Sequence, residues 1–232
     1  LTRGAVGIVI LVSLGIVISL TANSWPSIKK FGLGFLTSTT WNPVLSDFGA
    51  LSSISGTLIS TIIAMLLAVP LSLVIAFFLV ELAHPYIAKP VSYAIELLAA
   101  VPSIIYGMWG LFVFAPFMAD HIQPWLASYL GFTGIFSGPP MGIGILSAGI
   151  ILALMVLPFI TAVMRDVFSM VPPVVKEAAY GMGSTSLETA GKVTVKYGFS
   201  GLLGAIFLGL GRAVGETMAV TFVIGNSHRI ST

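Results

Sequence analysis

The chain has 232 residues, 57% of them hydrophobic and 8% charged, with a net charge of +2 and a mean hydropathy of +1.07. A soluble domain carries about 25% charged residues, so ten basic and eight acidic side chains cannot cover a water-facing surface of this size, and lipid must solvate most of it. The small net charge gives no footing for a nucleic-acid partner, and the absence of cysteine excludes disulfides and thiolate metal sites.

Residues 4–28 are uncharged, and 4–22 is long enough for one span, which needs ~20 apolar residues. A signal peptide is the rival reading, but its apolar core runs only ~7–15 residues. In the polar stretch that follows, Ile28, Phe31, Phe35 and Leu36 recur at helical spacing beside Lys29 and Lys30. This predicts a short helix lying at the interface, with Trp25 and Trp41 at headgroup depth. Attraction of an anionic substrate by the two lysines is the alternative. The next spans are expected over 55–82, with Pro70, and over 91–117, with Pro102 in AAVPSIIYG; the polar turn AHPYIAKP at 83–90 separates them. An irregular stretch with Trp125 and Tyr129 fills 120–140, and a fourth span covers 142–164, with Pro158. Prolines inside spans kink the helix and are tolerated where neighbours satisfy the freed backbone groups; each marks packing geometry or a hinge.

Residues 165–198 form the most polar segment, and the fifth span is expected over 199–225. It carries two rows of small residues, Gly201–Ala205–Gly209 and Gly211–Gly215–Ala219, which predict close helix packing and an interior position. The chain opens on Leu and closes on HRIST just after this span, and both ends are expected to continue in the intact protein. Six Lys/Arg residues fall on one side (Arg3, Lys89, Arg165, Lys176, Lys192, Lys196) and three on the other (Lys29, Lys30, Arg229). The positive-inside rule makes the first side cytoplasmic. The fold class is therefore all-α: a polytopic bundle in a single transmembrane domain, 1–232.

Within the cytoplasmic segment, two short helices are expected over about 172–195. Pro172–Pro173 can open the first, glycines 181 and 183 break it, and Thr185-x-x-Glu188 has the form of a capping box for the second. They pack on their own domain or serve as a docking site. Glu177-Ala178-Ala179, followed after three residues by Gly183, resembles the EAA loop of ATP-binding-cassette importer permeases. The resemblance implies a coupling helix that inserts into a partner ATPase. The family's later Ile-x-Leu-Pro is Val193-Thr194-Val195-Lys196 here, which puts the bend after the second helix in question.

Arg212 and Glu216 stand four apart in an oily span, a spacing that places both on one helix face. Each charge costs about 2.5–3.5 kcal/mol near the bilayer centre, and a salt bridge would offset part of that. The pair either fixes helix register or lines a path in which the guanidinium meets an oxyanion and Glu216 releases it. The run GRAVGETMAVTFVIGN at 211–226, with VPSIIYG at 101–107 and WNPVLSDFGAL at 41–51, is similar to the PstC-type permease family of phosphate importers. That resemblance implies a type I importer fold with six spans, five of them counted here. It implies phosphate passage past Arg212 and Glu216, and multi-pass residence in a prokaryotic cytoplasmic membrane. It also implies a PstA-type partner permease, a PstB-type ATPase dimer that holds ATP and Mg, and an external PstS-type phosphate-binding protein. This chain itself has no P-loop and is expected to bind no cofactor and hydrolyse nothing. A permease for another oxyanion and an ion-coupled secondary transporter are the competing readings.

Overall fold

A computed structural model describes residues 2–133 and 139–225, which fall into two compact units divided at Ser55. The terminal part of the fifth-span motif at Asn226, together with His228, Arg229 and loop residues 134–138, lies outside the described residues.

In the first unit, α1 (Thr2–Phe31) is one continuous helix, and its apolar side chains are exposed along its length. The separate interfacial helix expected at 28–36 is not formed. Ile28 to Phe31 instead finish α1, where Lys29 and Lys30 suit the negative end of the helix dipole. Gly32 (φ 56°) then stops the helix in a conformation that favours glycine. A single turn, α2 (Gly34–Thr37), leads into a two-stranded ribbon of β1 (Trp41–Asn42) and β2 (Asp47–Phe48), antiparallel with Trp41 opposite Phe48. Phe31 packs on Phe35 and Phe48, and Trp41 meets Phe48 edge-on at 5.0 Å. Lys30 donates to the Ser46 carbonyl at 2.7 Å.

The second unit is built around α8 (Ile145–Ser169), the most enclosed helix. Against it lies α3 (Leu51–Phe77), which continues through a π-helical turn to Leu82. Gly56, Ser60, Ala64, Ala68, Ser72 and Ala76 are all buried at four-residue intervals. This uninterrupted stripe of small side chains lets the two helices approach closely. The Ser72 hydroxyl donates to the Leu157 carbonyl of α8 at 3.0 Å, a carbonyl that buried Pro158 sits beside.

The expected third span is redrawn. Helix α4 (Pro85–Ala99) begins with Pro85 in its first turn, so the polar turn shrinks to Ala83–His84. It ends before Pro102, because a residue preceding proline is pushed out of the α region. A new helical run then starts at α5 (Ser103–Trp109). It passes through a π-helical turn (Gly110–Phe114), α6 (Ala115–Phe117) and a second π turn (Met118–Ile122) to α7 (Gln123–Leu130). The stretch expected to be irregular from 120 is thus helical to Leu130. The spanning candidate is Ser103–Tyr129 rather than 91–117. The first, second and fourth candidates are Gly4–Phe31, Leu51–Leu82 and Ile145–Ser169.

After α8 come α9 (Pro173–Gly181), α10 (Ser186–Glu188), a π turn (Thr189–Thr194) and α11 (Val195–Tyr197). The chain bends by 69° at Gly198 into α12 (Phe199–Val214), and these two pieces together make a fifth candidate span. The bend is present without the family's proline: a side chain at Gly198 would press on Val167, so the glycine gives the turn its room.

Only one of the two small-residue rows of α12 is an interface. Ala205 is fully buried, and side chains at Gly201 and Gly209 would collide with Val167 and Ile160 of α8. The second row does not exist as a helix face, because α12 ends at Val214 and α13 (Met218–Val223) is a separate helix. Phe207 and Leu208 are exposed, so within this chain α12 is buried along one side.

Candidate anion site and docking surface

Arg212 occupies the last turn of α12 and Glu216 the break after it. Their four-residue spacing implies a shared face only if the helix continues, and Gly215–Thr217 interrupts it. Glu216 turns away to accept the Ala219 amide of α13 at 3.1 Å. Among the described residues the two side chains form no ion pair, so the expected salt bridge is corrected: Glu216 satisfies the start of the next helix.

The guanidinium of Arg212 lies 5.1 Å over the Phe159 ring of α8, a cation–π arrangement. One Nη donates a long hydrogen bond, 3.4 Å, to the Ala99 carbonyl at the end of α4. Its buried Nε has no partner among the described residues. A guanidinium carries five donors, so this one retains unused capacity in an enclosed place. Tyr106 of α5 donates to the neighbouring Leu98 carbonyl at 3.1 Å. The end of α4 is thereby tied to the helix that follows its break.

Helix α5 packs directly on α13: a side chain at Gly107 would meet the Ala219 backbone and Phe222. Two broken helices, α4/α5 and α12/α13, therefore come together, with Arg212 beside the end of α4. Irregular backbone at membrane depth is tolerated only where protein buries it or where it lines a cavity. Sequence reading placed Arg212 but missed Phe159, Ala99 and Tyr106. Aromatic and backbone partners carry no charge signal, though VPS and GET both announce interruptions.

The other candidate residues lie on α9 and just after it. Glu177 and Ala178 are exposed, and Ala179 is buried, so Ala179 seats the helix on its own domain. Gly183 (φ 88°) closes the helix in a left-handed conformation. Val174 and Tyr180, one helical turn to either side of Glu177, and Met182 and Leu187 further along the chain are exposed apolar side chains. The capping box is formed: the Thr185 hydroxyl accepts from the Glu188 amide at 3.4 Å, and Glu188 accepts from the Thr185 amide at 3.0 Å. The Thr185 amide and hydroxyl, with Lys192 nearby, hold the Glu188 carboxyl below the usual carboxylate range.

Two ionic clusters mark this end of the unit. Arg165 bridges Glu96 at 2.8 Å and Asp166 at 2.9 Å, joining α8 to α4. Lys176 of α9 meets Glu81, at the end of the helix begun by α3, at 2.6 Å. Residues 81–96 and 165–192 thus share one end, in keeping with the lysine and arginine count.

The chain is 53% identical over its whole length to the phosphate transport system permease protein PstC of Mesorhizobium japonicum, covering 72% of that protein. It is 54% identical to the PstC of Haemophilus influenzae, over 96% of this chain and 72% of that one. The chain belongs to the PstC family of phosphate transport system permease proteins. A probable PstC of the archaeon Methanocaldococcus jannaschii is 36% identical over 90% of this chain and 68% of its own. No family model matches. Among solved structures, a chain of the MetNI methionine ABC transporter superposes with a TM-score of 0.50, at 20% identity, over 72% of this chain and 68% of that one. That likeness establishes the fold as the importer-permease type. The chain is a multi-pass membrane protein.

Proposed function

We propose that this chain is the permease subunit of an ATP-driven importer of inorganic phosphate in a prokaryotic cytoplasmic membrane, contributing half of the translocation path. The observation that carries the reading is Arg212: a guanidinium with unused donors, held by an aromatic face beside two helix breaks. Phosphate offers oxygens that a guanidinium engages through parallel hydrogen bonds. Membership of the PstC family supports phosphate as the anion. One arginine whose ring and carbonyl contacts persist gives a weak hold, and a substrate in transit has to leave. Glu216 takes part by capping α13 and so fixing the break that follows Arg212.

Glu177 and Ala178, with the apolar residues around them, form the surface that docks a PstB-type ATPase dimer, the holder of ATP and Mg. Ala179 and Gly183 shape that surface from beneath and behind. A PstA-type permease supplies the other half of the path, and a PstS-type protein delivers phosphate from outside. The test is ATP hydrolysis by the reconstituted complex. Phosphate-loaded binding protein is expected to stimulate it, and sulfate to leave it at the basal rate. Equal stimulation by sulfate contradicts phosphate selectivity. Uptake that collapses with a proton uncoupler while ATP is maintained contradicts ATP-driven transport.

A further inference from the structure

Helix α9 is short, and an isolated helix of nine residues is marginal in water. Specific contacts attach it to the rest of the fold. Ala179 is buried, the π turn Thr189–Thr194 packs alongside, and Lys176 reaches Glu81, ninety-five positions earlier in the chain. That last contact differs from the ion pairs of the surface. The Glu81 side chain is 7% exposed and that of Lys176 is 20% exposed, and their atoms stand 2.6 Å apart. A charge-assisted bond so enclosed is short, strong and costly to leave half-made.

Glu81 also sits at a mechanically distinctive place. It lies in the π-helical turn Phe78–Leu82 that ends the helix begun by α3. Helix α3 itself is seated against α8 by its stripe of small residues and by the Ser72–Leu157 hydrogen bond. A displacement of α9 therefore has a direct ionic route into the end of a long helix of the bundle.

We infer that the Lys176–Glu81 pair is a strut that transmits movement of α9 to α3, making both positioning residues for transport. The inference rests on the proposed reading of α9 as the ATPase-docking helix. The pair touches neither the anion site nor the exposed face around Glu177, so its loss should uncouple the two ends while leaving each intact.

The experiment uses the complete transporter in proteoliposomes and records ATPase co-purification, ATP hydrolysis and phosphate uptake from the same preparation. Lys176→Gln and Glu81→Gln should each keep the ATPase bound and hydrolysing while uptake per ATP falls about tenfold, and exchanging the two charges should restore a large part of it. Native uptake per ATP in the single variants overturns the strut. So does loss of the ATPase that the charge exchange fails to reverse. Glu177→Lys, run in parallel, separates the failures: an ATPase that stays bound to that variant contradicts the docking reading. Loss of the ATPase there, with coupling intact in the 81 and 176 variants, contradicts the strut alone. Should the single variants fold poorly, a Lys176→Cys/Glu81→Cys double variant in a transporter made free of all other cysteines remains decisive. A short bis-methanethiosulfonate bridge should restore its uptake, and a bridged protein that stays inactive overturns the inference.

Discussion

The charges at the polar end of the second unit and the charge at the end of α12 are handled in opposite ways. Arg165 and Lys176 are fully engaged, each on a carboxylate within 3 Å. Arg212 has a carboxylate only four residues away and does not use it. It rests on an aromatic ring, keeps one long bond to a carbonyl, and leaves a buried nitrogen without a partner. Paired charges fasten helices together. A charge held in place yet under-bonded has capacity for something that arrives later, and in a bundle of apolar helices such capacity is costly to keep unless it is used.

Several substitutions would break or sharpen this contrast. The largest effect is expected from Arg212→Ala, which removes the donors and the stacking on Phe159 but leaves the Gly201–Ala205–Gly209 packing of α12 on α8 in place. Phosphate uptake should fall to background while the complex with the ATPase assembles normally by size-exclusion chromatography. Arg212→Lys keeps the charge but loses the planar fork and its stacking on Phe159; uptake should drop about tenfold, midway between alanine and wild type. Arg165→Gln tests the fastening class. Its carboxylate partners are 47% and 65% exposed, so water replaces the lost contacts. The cost should be about 1 kcal/mol or less, read as a small fall in melting temperature with uptake preserved.

The smallest effect concerns pH. The Glu188 carboxyl is held below its ordinary value of 4.5 in the folded state, so its capping contribution is present above that value. The contribution is lost as pH falls through the lowered folded value. Amide hydrogen exchange at 185–189, corrected for the intrinsic pH dependence, should show protection falling below about pH 4.5 in the native chain. Glu188→Gln should lack that transition.

Much of this architecture is legible in the residues because lipid leaves few options. Uncharged runs, Pro172–Pro173 and the Thr185/Glu188 box each mark an element through a local physical requirement. What escaped has a common cause. The α4–α5 and α12–α13 breaks fall inside continuous apolar stretches, where hydropathy is blind to backbone direction; Pro102 was read as a kink within a span and Gly215 as part of a close-packing row. The Arg212–Glu216 spacing suggested a salt bridge because helical continuity was assumed. The Lys176–Glu81 contact was hidden by sequence distance, although a lone carboxylate closing a chargeless run from 48 to 80 was its trace. The small-residue stripe of α3 was present at strict four-residue spacing and went unread beside the more conspicuous glycines of α12.

The most direct test of the central claim asks whether the position of Arg212 faces water and phosphate together. In a transporter made free of all other cysteines, Arg212→Cys offers a single thiol. Aqueous methanethiosulfonate reagent should label it during turnover, with phosphate slowing the reaction and sulfate leaving it unchanged. A thiol that stays unlabelled through turnover while a surface control reacts, or one indifferent to phosphate, would contradict the account.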